Sequence, residues 1–139
     1  MKRVLTDTGP LVAILSPQDE HHSTCVRELR DMPGPLLSCW PVITEAAWLL
    51  RKSPRAVQQL LRSIDGSFLE LLPLSGAEAE TIAALMKRFE DIHPQLADVA
   101  LVHLANREKI ETIFTLDQRD FSIYGSGRRN AFRIVPEMQ

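Results

Sequence analysis

Val4-Leu5-Thr6-Asp7-Thr8-Gly9-Pro10-Leu11 joins a short apolar run to a carboxylate and then to a glycine–proline pair. Proline is well tolerated in the first turn of a helix, so this stretch predicts a strand ending at Asp7 and a helix from Leu11 to Leu15. The aspartate is thereby delivered to the carboxyl end of a strand, close to a helix N-terminus. Reading outward, the alternation recurs. Asp19 to Met32 has an amphipathic pattern with Cys25, Val26 and Leu29 inward, and Pro33-Gly34-Pro35 stops it. Leu36 to Cys39 reads as a buried strand, and Pro41 opens a helix from Val42 to Lys52. Ser53-Pro54 caps a further helix, Arg55 to Ile64, before a turn at Gly66-Ser67. Phe68 to Leu72 reads as a strand, and Ser75 with Glu78 three residues on is a capping-box signature for a helix to about Glu90. A helix from about Leu96 to Glu108, the β-branched run Thr112 to Leu116 and an edge strand Arg133 to Val135 complete the chain. Strands alternating with helices predict a parallel sheet covered on both faces. No repeat, low-complexity tract or linker divides the sequence, so the expectation is one α/β domain over residues 1–139.

Composition narrows the classes of function. The 139 residues are 45% apolar and 24% charged, as in a folded globular protein rather than a disordered one. Sixteen Lys and Arg against eighteen Asp and Glu leave a net charge of -2. That balance lacks the basic excess of a passive nucleic-acid binder, but it suits an enzyme that meets phosphate through cations gathered by carboxylates. Cys25 and Cys39 form no CxxC or Cys/His zinc pattern, and two free thiols fit a reducing compartment. The basic start Met1-Lys2-Arg3 imitates a signal peptide, yet Thr6, Asp7 and Thr8 interrupt the apolar run behind it. No stretch is long enough to span a bilayer. The expectation is a soluble, cytoplasmic protein with no membrane partner.

Four acids stand out by their surroundings. Asp7, Glu45 and Asp98 are each embedded in apolar sequence, and Asp117 follows the strand Thr112 to Leu116. Acids at or near core-facing positions are costly unless paired or metal-bound. Converging carboxylates raise one another's pKa values unless a cation neutralises them. In an open parallel sheet, ligands bind beyond the carboxyl ends of the strands, where the strand order reverses. If the first and fourth strands are neighbours, Asp7 and Asp117 project into one crevice. Glu45 and Asp98 are read as lying near helix N-termini, which favour negative charge. Hard oxygen ligands select Mg2+ or Mn2+.

Four segments carry a family resemblance: Val4-Leu5-Thr6-Asp7-Thr8-Gly9-Pro10-Leu11, Ile43-Thr44-Glu45-Ala46-Ala47-Trp48-Leu49-Leu50, Leu96-Ala97-Asp98-Val99-Ala100 and Thr115-Leu116-Asp117-Gln118-Arg119-Asp120-Phe121. In order and spacing the chain resembles the PIN domains, in particular the VapC-type toxins of toxin–antitoxin pairs. The resemblance implies a three-layer α/β/α PIN-like fold around a parallel sheet of about five strands. It implies an endoribonuclease dependent on Mg2+ or Mn2+, with Asp7, Glu45, Asp98 and Asp117 as catalytic acids and metal ligands. Asp7 and Asp98 are the more direct ligands, and Asp120 falls where many members carry a further acid. Thr8 and Thr115 fall where a hydroxyl residue supports the site. An RNA substrate, a cognate antitoxin protein and a homodimer are implied as partners. The antitoxin groove would lie in the region Asp19 to Ile64, which offers Leu49, Leu60 and Leu61.

Other readings compete. Asp7-Thr8-Gly9 is also the aspartic-protease triplet, but those enzymes are β-rich and this chain is dominated by helical patterns. A phospho-acceptor aspartate would have a second acid two residues on or a paired acid before it, and neither is present. A catalytically silent PIN-like module that binds RNA or protein is the alternative within the resemblance. His21-His22 reads as a solvated helix start, and His93 as a loop residue without a partner. His103 lies about 140° round its helix from Asp98, so it reads as a surface or partner contact. Trp48, three residues after Glu45, reads as core packing. Arg119, Arg128, Arg129 and Arg133 make the C-terminal part basic, with Gly125-Ser126-Gly127 leaving that loop adaptable. Beside a carboxylate–metal centre, Arg128 and Arg129 would contact RNA phosphate.

Overall fold

Each apolar run read as a strand pairs in parallel with another. The structure is a computed structural model that describes residues 3–65 and 67–138. Gly66, part of the expected turn, lies outside the described residues. The strands are β1 (Val4–Thr6), β2 (Leu36–Ser38), β3 (Leu69–Leu71), β4 (Thr112–Phe114) and β5 (Arg133–Val135), in spatial order β3-β2-β1-β4-β5. The central register sets Leu5 against Leu37 on one side and Ile113 on the other. All three residues of β1, β2 and β4 are buried. Strands covered on both faces read as continuous apolar runs rather than as alternation, which is why these three were legible. At the edge, β5 keeps Arg133 in solvent.

The helices are α1 (Thr8–Leu15), α2 (His22–Arg30), α3 (Trp40–Leu49), α4 (Pro54–Arg62), α5 (Ala79–Arg88), α6 (Leu96–Glu108) and α7 (Gln118–Gly125). Strand order runs outward from β1 in both directions. Right-handed crossovers therefore place helices on both faces of the sheet, giving a three-layer α/β/α PIN-like fold. Among the described residues, no helix is long and apolar enough to cross a membrane.

Local chemistry explains the helix starts. Ser53 accepts a hydrogen bond from the Ala56 N–H at the head of α4. The Ser75–Glu78 capping box is present, but it opens one 3-10 turn, Gly76–Glu78, ahead of α5. Pro10 and Pro41 sit in first turns, yet α1 begins at Thr8 and α3 at Trp40. Glu45 is consequently in the second turn of α3 rather than at its N-terminus.

Three expectations are corrected. The interval 118–125, read as loop, is α7: the Asp117 carboxylate accepts from the Asp120 N–H at 3.2 Å, and Phe121 and Tyr124 are buried one turn apart. Tyr124 packs edge-on against Phe89 and Phe121 with ring centroids 5.0 and 5.1 Å apart. His103 is not a surface residue. It is 7% exposed, and its Nε2 lies 2.8 Å from Glu78 Oε1, the acid held in place by the capping box. Trp48 is not core. Val42, Ile43, Ala46 and Leu50 form the inner face of α3, and Trp48 points away from it, 63% exposed with Arg51 stacked 4.0 Å over its ring. Of the two remaining histidines read as a helix start, His22 uses Nδ1 to meet the Ala13 carbonyl at 2.7 Å. Cys25 and Cys39 are buried free thiols.

Candidate active site

The strand order reverses between β1 and β4, and that switch point is where an open parallel sheet leaves a crevice. Asp7 follows β1 and is tied to β4 by its N–H donating to the Phe114 carbonyl at 2.9 Å. Asp117 follows β4. The helices bring the other acids: Glu45 on α3, Asp98 in the first turn of α6, and Asp120 in the first turn of α7. All five line one crevice of about 610 Å³, together with Thr8, Gln95 and His93.

Hydroxyl groups set the carboxylates in place. Thr115 Oγ1 donates to Asp7 Oδ2 at 2.8 Å and accepts from the Asp117 N–H at 3.0 Å. One side chain thus links the acid after β1 to the turn after β4. Tyr124 donates to Asp98 Oδ2 at 3.3 Å. Asp7 is only 6% exposed, and its second oxygen, Oδ1, is buried with no hydrogen-bond partner, as is the Thr8 hydroxyl. A buried oxygen left unsatisfied costs free energy and is a position prepared for a ligand.

The electrostatics are those of crowded anions. Burial pushes the Asp7 carboxyl up to about 6, against the lowering effect of the Thr8 backbone and Thr115 hydrogen bonds, with Glu45 and Asp117 adding to the rise. Burial also raises Asp98, to about 7, assisted by the charges of Asp7, Glu45 and Asp117. Asp120 is raised by burial and by Asp117. Oxygen donors with raised carboxyl groups and an orphaned buried oxygen suit a hard divalent cation. Among the described residues, no three acidic, histidine or cysteine side chains stand close enough together to hold a metal ion as they are.

Arg128 and Arg129 do not reach this crevice. Arg128 donates to Asn106 Oδ1 at 2.9 Å and to the Ile110 carbonyl at 3.4 Å, which places it at the amino end of β4 and the far end of α6. Asp98 and Asn106 are eight residues apart on that helix, roughly 12 Å of rise. The expected phosphate contact beside the acids is thus misplaced by the length of the helix. Tyr124 and Gln95 went unread in the sequence. Tyr124 is the only tyrosine of the chain, and its three-residue spacing from Phe121 was the available signal.

The PIN-domain sequence profile matches residues 4–125. The chain is 32% identical over 139 residues to Ribonuclease VapC26 of Mycobacterium tuberculosis (strain ATCC 25618 / H37Rv), covering 96% of this chain and 100% of that protein. The crystal structure of Mycobacterium tuberculosis VapC20, a sarcin-ricin loop cleaving toxin, superposes with a TM-score of 0.75 at 17% identity. That match covers 84% of this chain and 91% of the other, and at such identity it bears on the fold. The chain belongs to the PIN-domain family, on its VapC-type branch.

Proposed function

We propose that this protein is a VapC-type endoribonuclease toxin that hydrolyses RNA phosphodiester bonds with a divalent cation, Mg2+ or Mn2+. The observation that carries this reading is that Glu45, Asp98, Asp117 and Asp120 line the same crevice as Asp7, whose Oδ1 is buried without a partner, at the switch point of the sheet. Asp7 and Asp98 would hold the cation most directly, with Glu45, Asp117 and Asp120 completing its shell. A bound cation would supply Lewis-acid polarisation of the phosphoryl group and acidify water. The protein's own part is positional. Thr115 fixes Asp7 and the Asp117 turn relative to one another, the Thr8 hydroxyl borders the same space, and Tyr124 orients Asp98. The residues act as one domain in the cytoplasm, paired as a homodimer and restrained by an antitoxin protein, by analogy with the toxins the chain is similar to.

The test is manganese-dependent cleavage of purified bacterial RNA. Asp7→Asn and Asp98→Asn should each lower the rate at least a hundredfold, and EDTA should stop the wild-type reaction. Circular dichroism of both variants should match the wild type. RNA binding by the wild type without any cleavage would replace this reading with that of a silent binding module.

A further inference from the structure

The end of the molecule opposite the acids has a cleft of its own. It measures about 680 Å³ and is lined by Arg88, Asn106, Lys109, Glu111, residues 127–129 and Asn130. Arg88, Lys109, Arg128 and Arg129 face one acid, Glu111, in a chain whose net charge is -2. Glu111 is already engaged, accepting from Asn130 Nδ2 at 2.6 Å.

The cleft is built rather than incidental. Arg128 is held by Asn106 and the Ile110 carbonyl and lies 4.0 Å over the Phe132 ring, yet its Nη1 is buried without a hydrogen-bond partner. Gly127 has a φ of +81°, and a Cβ there would lie 2.5 Å from Arg88 Nη2, so glycine lets the loop close over that guanidinium. A guanidinium fixed in place beside further cations suits phosphate oxygens, and Arg88, Lys109 and Arg129 share the cleft with Arg128. The opposite end carries five acids that repel a polyanion until a cation is bound.

We propose that this amino-end cleft holds backbone phosphates of the RNA substrate at a point remote from the bond being cut. The cleft gives a net-acidic protein its grip on RNA and favours folded substrates broad enough to touch both ends. The inference rests on the ribonuclease reading above.

Arg88→Gln/Lys109→Gln tests it, because both side chains are exposed and neither belongs to the acidic crevice. Binding of a labelled hairpin RNA in EDTA should weaken about tenfold, and the log–log salt slope should shrink by about 1.4–1.8 for two lost phosphate contacts. The charge-conserving Arg88→Lys/Lys109→Arg protein should recover both. Manganese-dependent cleavage of a tetranucleotide, too short to span the molecule, should stay within about twofold of wild type. An unchanged hairpin affinity and salt slope, with tetranucleotide cleavage intact, would overturn the cleft and leave the ribonuclease reading standing. A loss of tripolyphosphate binding with hairpin binding unaltered would also overturn it, in favour of a free phosphate ligand. A wild type that cleaves neither RNA would overturn the ribonuclease reading itself, and this inference with it.

Discussion

A carboxylate buried as deeply as that of Asp7 works against the fold until something neutralises it. Its pKa is about 6 in the folded chain and 3.8 when exposed to water. The folded state thus holds the proton more firmly. At pH below 3.8 the group makes no net difference, stability declines as pH rises from there to about 6, and above 6 the full penalty remains. Asp7→Asn removes the charge while keeping the shape and the contact with Thr115. In the absence of metal it should stabilise the protein by about 1–3 kcal/mol at pH 8 and by much less at pH 4. Urea unfolding at the two pH values checks this, and a variant less stable than wild type at pH 8 would contradict it. The same comparison explains why Asp7 was legible. An acid in an apolar run is a local anomaly, visible without knowing the fold.

Elements were legible wherever one face of a helix or both faces of a strand are buried. In α4, Leu60 is fully buried while its neighbour Leu61 is 46% exposed. Leu60→Ala should therefore cost about 2–5 kcal/mol, and Leu61→Ala about 0.5 kcal/mol or less. Thermal unfolding of the two single variants decides it, and similar losses would mean the face of α4 is misassigned. In α6, by contrast, Val99 to Ala105 are all buried, so periodicity could not say where His103 points. Its neighbour in space, Glu78, comes from a turn twenty-five residues earlier. The helix α7 was missed for a related reason. It is short, its sequence carries serine, glycine and charge, and its stability comes from Tyr124 packing on Phe89 and Phe121 and from the Asp117 cap. Isolated helices of that length are marginal, so tertiary contact decides them.

Across the whole molecule, the acids at one end and the cations at the other make stability respond to both metal and pH. A cation that binds only the folded state stabilises it by mass action and relieves the repulsion among Asp7, Glu45, Asp98 and Asp117. Manganese at about a hundredfold excess over Kd should raise Tm by roughly 5–10 °C at pH 8. The gain should shrink as pH falls through 7 and then 6, because protons on Asp98 and Asp7 compete with the metal. A pH-independent shift in differential scanning fluorimetry would argue that these two carboxyls are not the ligands. Sequence by itself determined the alternation of strands and helices, the family, and which acids were out of place among apolar neighbours, because each is encoded in runs of a few residues. Only the tertiary structure decided which of those residues meet. The β3-β2-β1-β4-β5 order brings Asp7 beside Asp117 across 110 residues of chain, and the same order carries Arg128 and Arg129, close behind Asp120 in sequence, to the far end of the sheet. Strand order depends on the packing of every helix at once, and no local pattern contains it.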